Sequence, residues 1–249
     1  MKTYGLIGYP LGHSFSKQYF TEKFERENIL AEYLNFEIAD ITQLPQVLTE
    51  HPHLTGFNVT IPYKEQILPY LHEITPIAQA IGAVNVVKVC RREREIKLIG
   101  YNSDIVGFRE SLRPLLKPHH TQALVLGSGG ASKAVCEALK ELHIAYRIVS
   151  RQERENSLQY HELSKELISQ YPLIINTTPV GMFPHIEEAL PIPYEGISTA
   201  HILYDLVYNP SETQFIKIGK TRGCTVLNGT HMLHLQAEEA WRFWHSTNI

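Results

Sequence analysis

Residues Gln122-Ala123-Leu124-Val125-Leu126 form an apolar strand that passes directly into Gly127-Ser128-Gly129-Gly130-Ala131-Ser132-Lys133-Ala134. No other stretch restricts the fold as strongly, because a buried strand, a glycine turn and a helix in direct succession open a βαβ unit. The helix reaches about Leu142, and a second strand covers Ala145–Val149. A polar loop and a helix around 160–170 then lead to a third strand, Leu173–Asn176. This is a βαβαβ half of a doubly wound sheet. Residues 184–200, rich in Pro, Glu and Ile with weak periodicity, read as a loop with a short helix. A strand at His201–Val207, a helix near 212–222 and a strand at Thr225–Leu227 complete the sheet.

The first hundred residues also alternate strand and helix signals, which predicts a second α/β sheet. Strands are expected at 3–8, 31–37 and in Gly56-Phe57-Asn58-Val59-Thr60-Ile61, which Pro62 stops because it lacks an N–H for a ladder. Ser14 begins a helix whose apolar face holds Phe15, Tyr19, Phe20 and Phe24. TQLPQVL reads as a short helix, and YKEQILPYL as another that opens with Lys64. Residues 75–81 form a further helical turn. AVNVVKV and EIKLIGY form two strands, with Arg91-Arg92-Glu93-Arg94-Glu95 as a solvated hairpin loop. Asn102-Ser103-Asp104 starts the next helix, with Asn102 or Ser103 as its N-cap, and marks a domain boundary. The last helix, Thr230 to His245, carries Leu233, Ala237, Ala240, Trp241 and Trp244 on one face.

Composition removes several function classes. A net charge of −3 leaves no electrostatic footprint for nucleic acid or an acidic membrane surface. No apolar run approaches the ~20 residues a membrane span needs. The N-terminal MKTYGLIGYP lacks a signal-peptide core, and three scattered cysteines suit a reducing compartment. A soluble cytoplasmic protein is expected. His231-x-x-His234 and His51-x-His53 lack further ligands nearby in sequence, so no metal is expected. Asn58-x-Thr60, Asn176-x-Thr178 and Asn228-x-Thr230 match glycosylation sites, but nothing routes the chain to secretion.

The glycine turn, Gly127, Ser128, Gly129, Gly130 and Ala131, lies where a pyrophosphate sits against a helix N-terminus. Ser132 holds the third fingerprint position, with Gly130 and Ala134 able to permit close helix–strand packing. An NAD site places an acid ~20 residues further on, to bond the ribose 2′-hydroxyl. Here that place holds Ser150-Arg151, with Arg154 close behind. Guanidinium groups suit a 2′-phosphate, so NADP is the expected cofactor. Asn176-Thr177-Thr178-Pro179-Val180-Gly181-Met182 ends the third strand at the ligand-binding edge, though it could also be an ordinary turn.

Taken together, the chain resembles the shikimate dehydrogenase family, NADP-linked enzymes of aromatic amino-acid biosynthesis. The likeness runs in order through Gly8-x-Pro10-x-x-His13-Ser14-x-Ser16, Asn58-Val59-Thr60-Ile61-Pro62-x-Lys64, Gly82-Ala83-Val84-Asn85 and Gly100-x-Asn102-Ser103-Asp104-x-x-Gly107. It continues through the glycine turn, Asn176–Met182, Asp205-x-x-Tyr208-Asn209-Pro210 with Thr213, and Gly229-x-x-Met232-Leu233-x-x-Gln236-Ala237. Each piece is weak alone; eight in sequence are specific.

The resemblance implies reversible NADPH-dependent reduction of 3-dehydroshikimate to shikimate. It implies that Ser14, Ser16, Thr60, Asn85, Tyr208 and Gln236 hold the substrate and that Lys64 and Asp104 pair at the reacting carbon. Ser150, Arg151 and Arg154 would surround the 2′-phosphate, with Thr177, Val207, Gly229 and Met232 near the nicotinamide. It further implies a substrate domain (1–102), a Rossmann-type NADP domain (103–229), a cleft between them and a final helix, 230–249, that rejoins the first. Partners would be small molecules, without nucleic acid or membrane, and the chain a monomer or homodimer.

Several positions depart from the family pattern. Lys17 replaces a proline, Tyr19-Phe20 replace His-Asn, and Ser103 replaces a threonine. Ser150 and Gln152 flank Arg151 where Asn and Thr are usual, and Asn228 stands where an aspartate is common. Judged without the motifs, Lys64 could be a solvated lysine, Asp104 a capping acid and Gln236 a border residue. Two rivals follow: a quinate or dual-specificity dehydrogenase using NAD, and a non-catalytic metabolite or dinucleotide sensor. Ser14 and Ser16 favour shikimate, because the hydroxyls define the room around a substituted ring. A sensor needs neither Lys64 nor Asp104 for proton transfer.

Overall fold

Tyr4, Leu6 and Ile7 are all buried in β1 (Lys2–Gly8), and a strand apolar on both faces belongs inside a sheet covered on both sides. The structure is a computed structural model that describes residues 1–12, 14–93, 95–153 and 156–247. After β1 come α1 (Phe15–Arg26), β2 (Ala31–Glu37), α2 (Leu44–Glu50), β3 (Leu54–Val59), α3 (Tyr63–Gln66), β4 (Glu73–Ile74), α4 (Pro76–Ile81), β5 (Val86–Arg92) and β6 (Glu95–Tyr101). Then follow α5 (Asp104–Leu112), β7 (Gln122–Leu126), α6 (Gly130–Glu141), β8 (Ala145–Ser150), β9 (Ser157–Gln159), α7 (Lys165–Ser169) and β10 (Leu173–Asn176). The chain closes with β11 (Ile202–Asp205), α8 (Gln214–Thr221), β12 (Thr225–Leu227) and α9 (Thr230–His245). Two units result: Met1–Ser103 with Ala237–Ile249, and Asp104–Gln236. Among the described residues, no helix is long and apolar enough to cross a membrane.

The first unit holds a mixed sheet of order β2-β1-β3-β5-β6-β4. β1 pairs in parallel with β2 and β3, whereas β5 is antiparallel to β3 and β6. The carboxyl ends of β1, β3 and β6 and the amino end of β5 therefore share one edge. One face of the sheet buries Tyr4 and Leu6 with Phe20 and Phe24 of α1 and Ala240 and Trp244 of α9. The other face buries Ile7 and Phe57 with Leu44 and Leu48 of α2.

Gly56 in β3 lets α9 dock: a Cβ there would stand 2.4 Å from Trp244 Cδ1. The indole rests on the bare backbone, and its Nε1 donates to the Val87 carbonyl at 3.0 Å. The buried Lys23 of α1 pairs with Glu238 of α9 and Glu27, both at 3.0 Å. Burying that ammonium is tolerable because two carboxylates face it.

The second unit is wholly parallel, in the order β12-β11-β10-β7-β8-β9. Numbered from β7 and read from the β9 edge, this is 3-2-1-4-5-6, the Rossmann order, with its switch point between β7 and β10. Every strand ends on the same carboxyl edge.

Some local expectations differ from what is observed. Arg91 and Arg92 belong to β5, and Arg92 pairs with Glu95, so the hairpin is tighter than a five-residue loop. Arg91 Nη2 donates to the carbonyls of Leu48 at 2.8 Å and His51 at 3.2 Å, which ties the end of β5 to the C-terminal end of α2. YKEQILPYL breaks into α3 and a separate 3₁₀ turn at Leu68–Tyr70, with Pro69 at its start. The region around 160–170 follows the three-residue β9, too short for any periodicity, and holds a 3₁₀ turn at Tyr160–Glu162 and the five-residue α7.

Candidate active site

Of the residues expected at the substrate, Ser14, Ser16, Thr60, Lys64 and Asn85 belong to the first unit, around the shared edge of its sheet. Ser14 follows the β1 turn and caps α1, its Oγ accepting from Lys17 N at 3.1 Å. Ser16 lies in the first turn of α1, with its hydroxyl near Tyr33 of β2. Thr60 follows β3, with its N–H on the Ile7 carbonyl (2.9 Å). Lys64 is half-buried in α3, and its carbonyl accepts from Val84 N at 2.8 Å, which ties the lysine turn to the loop carrying Asn85.

A buried polar chain holds this edge together. Tyr33 OH donates to Asn58 Oδ1 at 2.7 Å, and Asn58 Nδ2 donates to the Asn85 carbonyl at 3.3 Å. Asn85 Oδ1 accepts from Ser103 N at 2.7 Å, while its Nδ2 donates to Ser103 Oγ at 3.1 Å. Asn102 Nδ2 donates to the Ala83 carbonyl at 3.0 Å. Such groups are stable inside only when their partners are supplied, and a satisfied network rigidifies its surroundings. Tyr33 was not legible as part of the site. The only available signal was a tyrosine and an asparagine on strands otherwise apolar at buried positions. Asn85 holds the loop to Ser103 through both its Oδ1 and its Nδ2.

Asp104, the first residue of α5, is buried. A carboxylate in the first turn of a helix is favoured by the dipole.

Among the described residues, those expected to hold the cofactor lie towards the carboxyl edge of the second sheet. Gly127, at φ +109°, approaches the β10 turn so closely that a Cβ would meet Thr177 Oγ1 at 2.7 Å. Thr177 binds the Leu126 carbonyl through both N (2.9 Å) and Oγ1 (2.8 Å), locking the two strands at the switch point. A Cβ at Gly129 or Gly130 would meet nothing within 4 Å, so the backbone of this turn is open to a ligand. Gly130 thus provides no close helix–strand packing, contrary to expectation. That packing falls to the buried Ser132 and Ala134, with Ser132 Oγ donating to the Gly129 carbonyl at 2.6 Å. The open glycine turn meets what a pyrophosphate requires.

Ser150 is buried at the end of β8, its Oγ 3.4 Å from Ser128 Oγ and accepting from Gln152 N at 3.2 Å. Arg151 is exposed beside it, with no acid between strand end and guanidinium. Arg154, expected to join it, lies outside the described residues. Val207 is buried after β11 and Tyr208 is exposed. Gly229 N donates to the Val207 carbonyl at 3.1 Å; a Cβ at Gly229 would meet the Leu206 carbonyl oxygen at 2.1 Å. Met232 and Gln236 are buried along α9, where Gln236 Nε2 donates to the Leu233 carbonyl at 3.0 Å.

A Rossmann-ordered sheet with an open glycine turn, in the same chain as a polar-edged α/β unit, is the arrangement of a dinucleotide-binding protein. Comparison with known proteins narrows the class. The family model for the shikimate dehydrogenase substrate binding domain matches residues 6–87. A curated relative named shikimate dehydrogenase (NADP(+)), from Carboxydothermus hydrogenoformans, is 36% identical over 98% of this chain and 91% of its own length. The crystal structure of shikimate dehydrogenase from Aquifex aeolicus superposes with a TM-score of 0.86 at 33% identity, covering 100% of this chain and 94% of that one. The Thermus thermophilus enzyme, solved in complex with NADP(H) and shikimate, gives 0.85 at 31% identity over 98% and 94%. The chain belongs to the shikimate dehydrogenase family.

Proposed function

We propose that this protein catalyses the reversible NADPH-dependent reduction of 3-dehydroshikimate to shikimate, in the pathway to the aromatic amino acids. The observation that carries the reading is full-length kinship with NADP-dependent shikimate dehydrogenases in a chain that keeps both Lys64 and Asp104.

We assign residues 1–102, with the helix 230–249, to substrate binding and 103–229 to the cofactor. The open turn Gly127–Ala131 would hold the pyrophosphate. Ser150, Arg151 and Arg154 would hold the 2′-phosphate, and Thr177, Val207, Gly229 and Met232 would border the nicotinamide. NADPH bound there supplies the hydride. Reduction of the ketone places negative charge on its oxygen, and the Lys64 ammonium donates a proton to that oxygen as the charge develops. Asp104 orients Lys64 and accepts a substrate hydroxyl. Ser14, Ser16, Thr60, Asn85, Tyr208 and Gln236 would hold the substrate's hydroxyls and carboxylate. We further place the enzyme in the cytoplasm as a monomer or homodimer whose partners are these small molecules, without nucleic acid or membrane.

The test is nicotinamide absorbance during oxidation of shikimate or quinate, each with NADP or NAD. Fast turnover with shikimate and NADP is expected. Preference for quinate and NAD would replace the substrate assignment, and no turnover in any combination would leave a sensor.

A further inference from the structure

Asp205 ends β11 fully buried, and no cation is recorded against its carboxylate among the described residues. Its two oxygens accept three hydrogen bonds. Oδ1 takes Asn176 Nδ2 at 2.8 Å and Val207 N at 3.0 Å, and Oδ2 takes Thr213 Oγ1 at 2.5 Å. Each donor belongs to a different turn at the carboxyl edge. Asn176 ends β10, and its Oδ1 accepts from Thr178 N (2.9 Å) and Thr178 Oγ1 (2.7 Å), while Val180 N donates to Thr178 Oγ1 at 3.2 Å. Val207 leads into Tyr208 and holds Gly229 N on its carbonyl at 3.1 Å. Thr213 caps α8, accepting from Ile216 N at 3.3 Å.

Only an acceptor-only group serves all three donors. An amide in its place could satisfy Asn176 and Val207 with its oxygen but would turn a second donor towards Thr213. Asn176 cannot flip to compensate, because its own oxygen is committed to Thr178. A buried carboxylate is also a costly way merely to stabilise a strand end.

We propose that Asp205 is a positioning residue for the nicotinamide end of the cofactor site, tying the turns of Thr177, Val207–Tyr208 and Gly229 to one another. This rests on the shikimate dehydrogenase reading. Ser150, Arg151 and the glycine turn anchor the other end of the cofactor independently of Asp205, so the two ends respond differently to substitution.

Asp205→Asn tests this. Because a small displacement of the reacting groups is costly, kcat for shikimate oxidation should fall roughly ten- to a hundredfold while KM for NADP changes less than about threefold. Thr213→Val should reproduce part of the loss, and Thr213→Ser, which keeps the hydroxyl, should restore it. Hydrogen exchange on the cofactor-free protein should quicken in 177–180 and 206–213 of Asp205→Asn while β7 stays protected. A kcat within about twofold of the unmodified enzyme, or unchanged exchange in those turns, overturns the proposal whatever the other readings. Faster exchange as expected, in a protein that never oxidises shikimate with NADP, would instead overturn the enzymatic reading and leave the tether standing.

Discussion

Lys64 acquires its proposed role from position rather than from residue type. Most lysines are solvated, yet Lys64 is half-buried and its backbone is bonded to the Asn85 loop. Lys64→Ala should lower kcat by about 10²-fold or more while KM for shikimate changes little, because the proton is needed only as charge develops. Steady-state kinetics check this, and near-normal turnover would remove Lys64 from the chemistry. Arg151 sits past Ser150, where a carboxylate would have indicated NAD. Arg151→Ala should raise KM for NADP far more than KM for NAD, and equal losses would end the 2′-phosphate assignment. Arg151 was expected from its place past the glycine turn, and Lys64 only from the motif on which the family resemblance rests. The bonds that steady Lys64 were not legible, because Val84 lies twenty residues away and only folding brings it near.

Elements depend on what neighbouring elements allow. α9 was expected from its apolar stripe, but its seat on β3 depends on Gly56, which sequence shows only as a glycine in a strand. Gly56→Val should lower stability by about 1–3 kcal/mol in denaturant unfolding, through displacement of Trp244. Gly12→Ala, at a position where a Cβ meets nothing within 4 Å, should leave stability unchanged.

The β11 end makes a prediction about pH. Burial pushes the Asp205 carboxyl up from 3.8 to about 6, opposed by its hydrogen bonds from Thr213, Val207 and Asn176. The folded state then holds a proton that the unfolded chain has released, so stability falls as pH rises from about 4 to about 6 and is level above. The loss is on the order of 3 kcal/mol at most, from about two pKa units at 1.4 kcal/mol each. Asp205→Asn lacks this titration. Its thermal midpoint, measured against that of the unmodified protein, should therefore gain between pH 4 and pH 6. A constant difference across that range would contradict the burial effect.

For the molecule as a whole, ligand binding and stability are linked. NADP at about a hundred times its Kd should add about 2.7 kcal/mol to the stability of the folded state, with NAD at the same concentration adding much less. Differential scanning calorimetry checks this, and equal shifts from the two cofactors would reject the NADP preference.

The sequence by itself determined the alternation of strands and helices, the glycine turn, the arginine at the end of β8 and the ordered motifs that mark the family. These are signals carried by neighbouring residues, where period and turn chemistry act over a few positions. Tertiary structure alone decided the 3-2-1-4-5-6 strand order, the seat of Trp244 on Gly56 and the relay from Tyr33 through Asn58 and Asn85 to Ser103. It likewise decided the meeting of three turns on Asp205. Each joins residues far apart in the chain, and a buried polar group shows its partner only once the core has closed around both.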